Sequence, residues 1–386
     1  MSSIKKNIIE ECKKKFGQPD LVTFAPGRAN IIGEHTDYSG GYVLPFATSA
    51  GLYFVAKKRK DQIFEIISLD TLESTSFEIH SGSDIISTGF SRFIKQVLLQ
   101  LPLEKIPFGI SIVINGNLSL GAGMSSSSAL TCGFLALCNE FYSLKLSHFQ
   151  MVQLAVKAEH GTGVIGGMMD QYAIFFGEEN KALLLDCQTM THKPIDINLE
   201  PFGFFLINTK VKHDLLDSPY NTRRSQSEEA LKRIRDFENN QYLLYKNISS
   251  VHRYSQVLEG NLYNRAQHII SENQRVLEMV FALQHNDIDT CGKILKESHQ
   301  SLRKNYEVSC PELDFLVEIC SDFNAWKGGR MMGGGFGGCT INIFLKKNIE
   351  TIFEKISSDY YKKFGLVPEL YSVSPSGRLY TEYFNS

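Results

Sequence analysis

Gly121, Ala122, Gly123, Met124, Ser125, Ser126 and Ser127 form a small, polar run between two apolar segments. Glycines let backbone N–H groups turn inward, and a following helix start adds unpaired donors with the positive end of its dipole. Such a run is suited to cradle phosphate. The alternatives are a Gly/Ser linker or an ordinary helix cap. No Gly-Lys-Ser/Thr follows, so this is not a Walker A loop, and the third glycine of a dinucleotide fingerprint would fall at Ser126. The elements that must position the run are legible on both sides. Ile110, Ile112 and Ile114 alternate as in a half-buried strand, and Leu130, Phe134, Leu137 and Phe141 recur at helical spacing.

A second group lies in Pro26 to Gly41, where Arg28, Asn30, Glu34, His35 and Asp37 fall among glycines. Carboxylates accept hydroxyl donors and histidine can donate or accept, so the group suits a ligand rich in hydroxyls; a polar turn capping its own backbone is the other reading. Asp170 stands between a glycine-rich stretch (Gly161 to Gly167) and an apolar run to Phe176. It is a candidate partly buried acid: general base, metal ligand or backbone cap. Ser147 and Gln150 make a capping-box pattern opening a helix to about Gly161, and Glu159 falls at that helix's end. There the macrodipole opposes a carboxylate, which either wants a cation or points to solvent. Arg223 and Arg224, at the entrance to a charged helix over Ser225 to Phe237, could face phosphate or pair with Glu228 and Glu229. Gly333, Gly335 and Gly338 match the spacing of a dinucleotide fingerprint, but a strand-like Ile341, Ile343, Leu345 pattern follows where a helix should, so the stretch reads as a loop of close backbone approach.

At 386 residues the chain suits two domains, and its net charge of −2 leaves no footprint for nucleic acid. The basic run Lys57 to Lys60 reads as a solvated surface. The charged N-terminus lacks a secretory core, and no window offers the roughly 20 apolar residues of a membrane helix. The 8 cysteines are scattered singly and the 10 histidines show no zinc spacing. A soluble, cytoplasmic protein is expected, with no membrane or nucleic-acid partner. Strand patterns recur at 21–25, 42–56, 63–69, 76–79, 202–208 and 369–373; helices are expected at 4–16, 91–101, 262–283, 288–302, 311–323 and 348–364. The mixture predicts an α+β chain.

In this order and register, Pro26 to Gly41, the serine loop, Gly167 to Gln171, Tyr220 to Arg224 and Arg330 to Cys339 resemble the GHMP small-molecule kinases, and Pro26 to Gly41 looks like the galactokinase signature. The resemblance implies a two-domain GHMP-kinase fold: an N-terminal domain over 1–200, similar to the second domain of ribosomal protein S5, and a ferredoxin-like α+β domain over 201–386. The last strand may pack back on the first domain, and the active site would lie in the cleft. It implies ATP and Mg²⁺ as cofactors and phosphorylation of the anomeric hydroxyl of α-D-galactose. Gly121 to Ser127 would wrap the ATP phosphates, Ser127 and Glu159 would hold Mg²⁺, Asp170 would take the proton, and Arg28 would keep Asp170 ionised and stabilise the moving phosphoryl group. Glu34, His35, Asp37, Gly167 and Tyr220 would join Asp170 in binding the sugar, and Gly333 to Gly338 would brace the site. A monomer or weak homo-oligomer is expected. The chain departs from the galactokinase pattern at Ile165 and Gly166, where asparagine and cysteine are usual, and at Ala29, Ser128 and Met168. Thr36 resembles galactokinases, whereas relatives acting on N-acetylgalactosamine tend to carry isoleucine there. The competing implications are a sugar sensor that binds galactose and ATP without turnover, and a kinase for N-acetylgalactosamine or galacturonate.

Overall fold

A computed structural model describes residues 3–78, 89–118, 123–163, 165–211 and 219–384. Gly121 and Ala122 of the expected phosphate loop lie outside the described residues. In chain order the elements are α1 (Ser3–Phe16), β1 (Leu21–Asn30), β2 (Tyr42–Val43), β3 (Pro45–Lys58), β4 (Ile63–Ser68), β5 (Glu73–Glu78), α2 (Ser91–Leu98), β6 (Ile110–Gly116), α3 (Ser126–Phe141), α4 (His148–His160), α5 (Met169–Phe176), β7 (Lys181–Asp186), β8 (Thr191–Asp196) and β9 (Phe202–Asn208). There follow α6 (Tyr220–Glu238), α7 (Asn261–Gln284), α8 (Ile288–Ser301), α9 (Pro311–Cys320), β10 (Trp326–Met332), β11 (Cys339–Leu345), α10 (Ile349–Phe364), β12 (Glu369–Val373) and β13 (Tyr380–Tyr383).

Three sheets result. The largest has the order β13-β1-β3-β6-β4-β5 and is antiparallel except where β4 runs parallel to β6. The second, β10-β11-β9-β12, is wholly antiparallel, and β2-β7-β8 forms a small third sheet. β1 is buried along its whole length because α1 covers one face of its sheet and α3 and α5 the other. A sheet covered on both faces reads as a continuous apolar run rather than an alternation, and Leu21 to Ala25 does. The strand nevertheless continues through the polar Arg28 to Asn30, with a register shift against β3 between Pro26 and Arg28. Such a bulge re-aims a side chain out of the ladder. One hydrophobic core runs from Phe54, Ile112 and Phe134 through Phe46 and Phe204, whose rings stack at 5.8 Å, to Leu206, Ile341 and Leu295. Residues expected in separate halves therefore share one interior.

The structure extends several expected elements. Helix α6 starts at Tyr220 rather than Ser225, so Arg223 and Arg224 lie within its first turns instead of at its entrance. β7, β8, β10 and β13 are strands without an apolar alternation in their sequence that predicts them. The capping box at α4 is present: Ser147 Oγ accepts from Gln150 N–H while Gln150 Oε1 accepts from Ser147 N–H. Among the described residues no helix is long and apolar enough to cross a membrane.

Candidate active site

The bulged end of β1 aims Arg28 at the first turn of α5. Arg28 Nε donates to Asp170 Oδ1 at 2.8 Å and Nη2 to Oδ2 at 3.1 Å, a two-point fork. The guanidinium is buried, which works against its charge, but Asp170, Glu34 and Asp37 outweigh that and hold its pKa above the ordinary value. Asp170 keeps 26% of its side chain exposed to the pocket. The serine loop meets this pair. Arg28 Nη1 donates to the Gly123 carbonyl, Arg28 N–H to the Met124 carbonyl at 3.2 Å, and Ser125 Oγ donates to Asp170 Oδ2. Ser125 adopts left-handed backbone geometry (φ 56°) directly before α3 begins at Ser126. A non-glycine residue held there costs about 1–3 kcal/mol and needs surroundings that enforce it; Asp170 supplies them. Gly27 lets the loop approach, since a β-carbon there would collide with the Met124 carbonyl and Leu118.

The other wall comes from the segment after β1. Glu34 is buried and accepts from Arg330 Nη1 at 3.0 Å and from Gly333 N–H at 2.9 Å. Arg330 is buried on β10 and also donates to the carbonyls of Asn30, Ile31 and Met331. Asp37 lies against Gly167, where a β-carbon would overlap its carboxylate. Burial first, then the Asp170 and Glu34 charges, push Asp37 up to about 7. Burial pushes the His35 imidazolium down to about 3, so the ring is neutral at physiological pH. His35 packs against Tyr306 and Tyr220 at ring separations of 4.7 and 5.5 Å. Arg28, Glu34, His35, Asp37, Gly167, Asp170 and Tyr220 all line one pocket.

Ser127 and Glu159 line it too. Glu159 Oε1 is buried and has no hydrogen-bond partner among the described residues. Burial, then the Asp170 charge, raise Glu159 to about 7, against the pull of Ser128, Gln171 and Arg28. A desolvated carboxylate beside a second one is stabilised by a cation placed between them. The set is hard oxygen, which suits Mg²⁺, an ion usually held by one or two carboxylates together with waters and substrate phosphates. Among the described residues no group of His, Cys, Asp or Glu is complete enough to hold a metal unaided, so phosphate oxygens would have to finish the shell. On the far side of Ser126 and Ser127 a second, more apolar pocket opens between Leu52, Ile114, Phe90 and Phe93, with Asp70 and Thr71 at hand.

Other candidates have structural partners. Arg224 pairs with Glu228 at 2.8 Å and donates to the Ile165 carbonyl at 2.6 Å; Arg223 donates to the Tyr306 carbonyl at 2.9 Å, and Glu229 pairs with Arg233. Asn30 Oδ1 accepts from Leu44 N–H at 3.3 Å. Lining residues that gave no sequence signal include Val156 and His160; Gln171 lies in the Gly167 to Gln171 stretch but carried no role. His160 Nε2 lies 2.8 Å from the Gly166 carbonyl, pinning the loop before Asp170. Its only cue was its place after Glu159.

Comparison with known proteins agrees along the chain. Residues 10–58 match the galactokinase galactose-binding signature, 91–178 the N-terminal domain of GHMP kinases and 279–363 their C-terminal domain. A galactokinase of Clostridium perfringens is 36% identical over 371 residues, covering 93% of this chain and 95% of that one. One of Thermotoga maritima is 37% identical over 346 residues, covering 89% and 94%. The crystal structure of Lactococcus lactis galactokinase complexed with galactose superposes with a TM-score of 0.90 at 29% identity, covering 97% of this chain and 99% of that one. Methanococcus jannaschii mevalonate kinase, at 15% identity and a TM-score of 0.65, shares the fold.

Proposed function

The chain belongs to the galactokinases of the GHMP kinase family, and from that premise we propose that it transfers the γ-phosphoryl group of ATP to the anomeric hydroxyl of α-D-galactose. The observation that carries this is the junction of Arg28, Asp170 and Ser125, which binds the serine loop to the wall of the carboxylate-lined pocket. Phosphoryl transfer asks chiefly for positioning and neutralised charge. Glu34, Asp37 and Tyr220 offer acceptors and a phenol to sugar hydroxyls, and the Gly123 to Ser127 backbone with the α3 N-terminus faces the phosphates. The apolar pocket beyond Ser126 and Ser127 would take the nucleoside. Ser127 and Glu159 would hold Mg²⁺, which supplies charge neutralisation on the phosphates when bound.

Asp170 accepts the hydrogen bond of the anomeric hydroxyl and takes its proton as the new P–O bond forms. With one edge held by Arg28 and one oxygen also occupied by Ser125, its orientation is fixed before the sugar arrives, which is the entropic part of the catalysis. Arg28 then faces the charge that spreads over the transferring group. Thr36 is buried, its hydroxyl within donating distance of the carbonyls of Gly33 (2.8 Å) and Tyr42 (2.7 Å), so it acts on the sugar through loop shape.

The test is ADP release from MgATP against galactose, N-acetylgalactosamine, galacturonate, arabinose and glucose. Turnover on galactose, falling at least about 10³-fold in Asp170→Ala, is expected. Binding of galactose and ATP without turnover on any sugar would leave a sensor; turnover confined to N-acetylgalactosamine or galacturonate would reassign the substrate.

A further inference from the structure

Glu34, His35 and Asp37 reach the pocket from one short loop, and its backbone is held by a helix more than 220 residues away in sequence. Helix α7 turns His268, Glu272, Asn273 and Val276 toward the loop, a spacing of four, five and eight residues that puts all of them on one face. All four are buried. His268 Nε2 donates to the Glu34 carbonyl at 3.1 Å, since a carbonyl can only accept, and its Nδ1 lies 2.9 Å from Ser301 Oγ. Glu272 Oε1 accepts from Gly33 N–H at 3.1 Å, and Asn273 Oδ1 from Tyr42 N–H at 2.7 Å. The approach is close: a β-carbon on Gly41 would collide with Asn273 Oδ1, and one on Gly33 would press on Val276.

These contacts fall where the loop needs them. Bonds inside it gather on Thr36, whose carbonyl accepts from Ser39 N–H and Gly41 N–H, and they shape the loop without tying it to the pocket wall. His35 is a side-chain-bearing residue in left-handed geometry (φ 64°), which persists only where its surroundings enforce it. Glu272 and His268 grip Gly33 N–H and the Glu34 carbonyl, the main chain just before that residue. Glu272 is itself locked, accepting from Ser298 Oγ at 2.7 Å on Oε1 and from Arg275 Nε at 2.7 Å on Oε2. A polar side chain is costly to bury unless it is bonded, and on this face of α7 the bonds run to the sugar loop.

We propose that His268 and Glu272 are positioning residues for the sugar: they fix the main chain at Gly33 and Glu34, so that Glu34, His35 and Asp37 meet the ligand already arranged. Helix α7 thus contributes to sugar affinity through the loop. Releasing the grip lowers the fraction of molecules whose loop is competent to bind, and apparent affinity falls by that fraction. The identity of the ligand rests on the galactokinase reading; the hold on the loop does not.

Two measurements test this. His268→Phe keeps a ring beside Tyr306, now 4.7 Å away, but has no N–H, whereas His268→Gln restores a donor. His268→Phe should raise the galactose KM about three- to tenfold, with kcat and the ATP KM within about twofold, the pattern of lost ground-state binding. His268→Gln should stay within about twofold of the parent. Glu272→Gln should act in the direction of His268→Phe; it leaves Arg275 without its counter-charge, so the His268 pair decides if that protein fails to fold. In hydrogen exchange without substrates, a peptide covering Gly33 to Tyr42 should exchange faster in His268→Phe, while one covering Leu21 to Ala25 is unchanged. Ile356→Val, in the separate core that lines α10, serves as the reference for lost stability alone. A His268→Phe protein that melts lower but keeps its galactose KM and its loop exchange makes α7 a brace only and overturns the proposal. So does His268→Gln behaving like His268→Phe, or Ile356→Val raising the galactose KM as much. A parent protein that fails to turn over galactose counts against the kinase reading and leaves loop exchange to decide the role of α7.

Discussion

Asp37 shows how much of this pocket's character resides in single side chains held against their preferences. Free in solution its carboxyl would titrate near 3.8; burial and the charges of Asp170 and Glu34 bring it to about 7. Between those values the native state holds a proton that the unfolded chain has lost, so this group's contribution to stability is present in full below about pH 4 and fades as the pH rises through 7. Asp37→Asn removes the titration. In thermal melts without substrates, its stability relative to the parent should rise from pH 4 to about pH 8, while its galactose KM increases at least about tenfold because one acceptor oxygen is replaced by an NH₂ group that can only donate. Parallel pH slopes for the two proteins would show that Asp37 ionises freely. Stability surrendered for function at a binding residue is a common exchange.

At the scale of elements, the contact of α8 with β10 sets where the second wall of the pocket stands. Gly292 and Gly328 bring the two backbones together, and a β-carbon on Gly328 would collide with the Gly292 backbone itself. β10 carries Arg330 and leads into Gly333 and Gly334 at the pocket, so a displaced strand is felt there. Gly328→Ala should cost about 1–3 kcal/mol in urea unfolding and raise the galactose KM, with the ATP KM less affected. An unchanged KM at that loss of stability would mean the strand end is anchored by Arg330 alone. This is also the scale at which the sequence was least legible. Helices α7 to α10 announce themselves by apolar recurrence, and α4 by its capping box. β10 does not: Trp326-Lys327-Gly328-Gly329-Arg330 is polar and glycine-rich, and it is a strand because β11 pairs with it and α8 presses on it.

Across the whole molecule, Arg330 and Glu34 join regions almost 300 residues apart in sequence, at full burial. Removing one partner of such a pair leaves an uncompensated charge, whereas removing both is tolerated far better. Arg330→Met is expected to destabilise by about 3–5 kcal/mol. Arg330→Lys should fail to rescue it, since a single ammonium cannot replace a fork that reaches Glu34 and the carbonyls of Asn30, Ile31 and Met331. Adding Glu34→Gln to Arg330→Met should recover part of the loss in denaturant melts; an additive double mutant would show that the two residues act independently. The chain end works at the same scale: β13 pairs with β1, Thr381 opposite Thr23, closing the edge beside the strand that carries Arg28.

What the sequence determined by itself is the part of the site written in local chemistry. The Gly/Ser run between a strand and a helix, the polar cluster from Arg28 to Asp37 and the acid at Asp170 are legible because phosphate cradling, hydroxyl recognition and proton transfer each demand particular residue types on short stretches of backbone. The family pattern then supplied their order. Tertiary structure decided what those residues become. It turned Pro26 to Asn30 from a polar turn into a bulged, buried strand, because helices cover both faces of its sheet. It converted Glu159 from an ordinary end-of-helix carboxylate into a desolvated one whose buried Oε1 has no partner among the described residues, and it drew Tyr306 against His35 and Arg330 against Glu34 from far along the chain. Burial and pKa depend on what surrounds a group in three dimensions, and spacing along a chain does not carry that information.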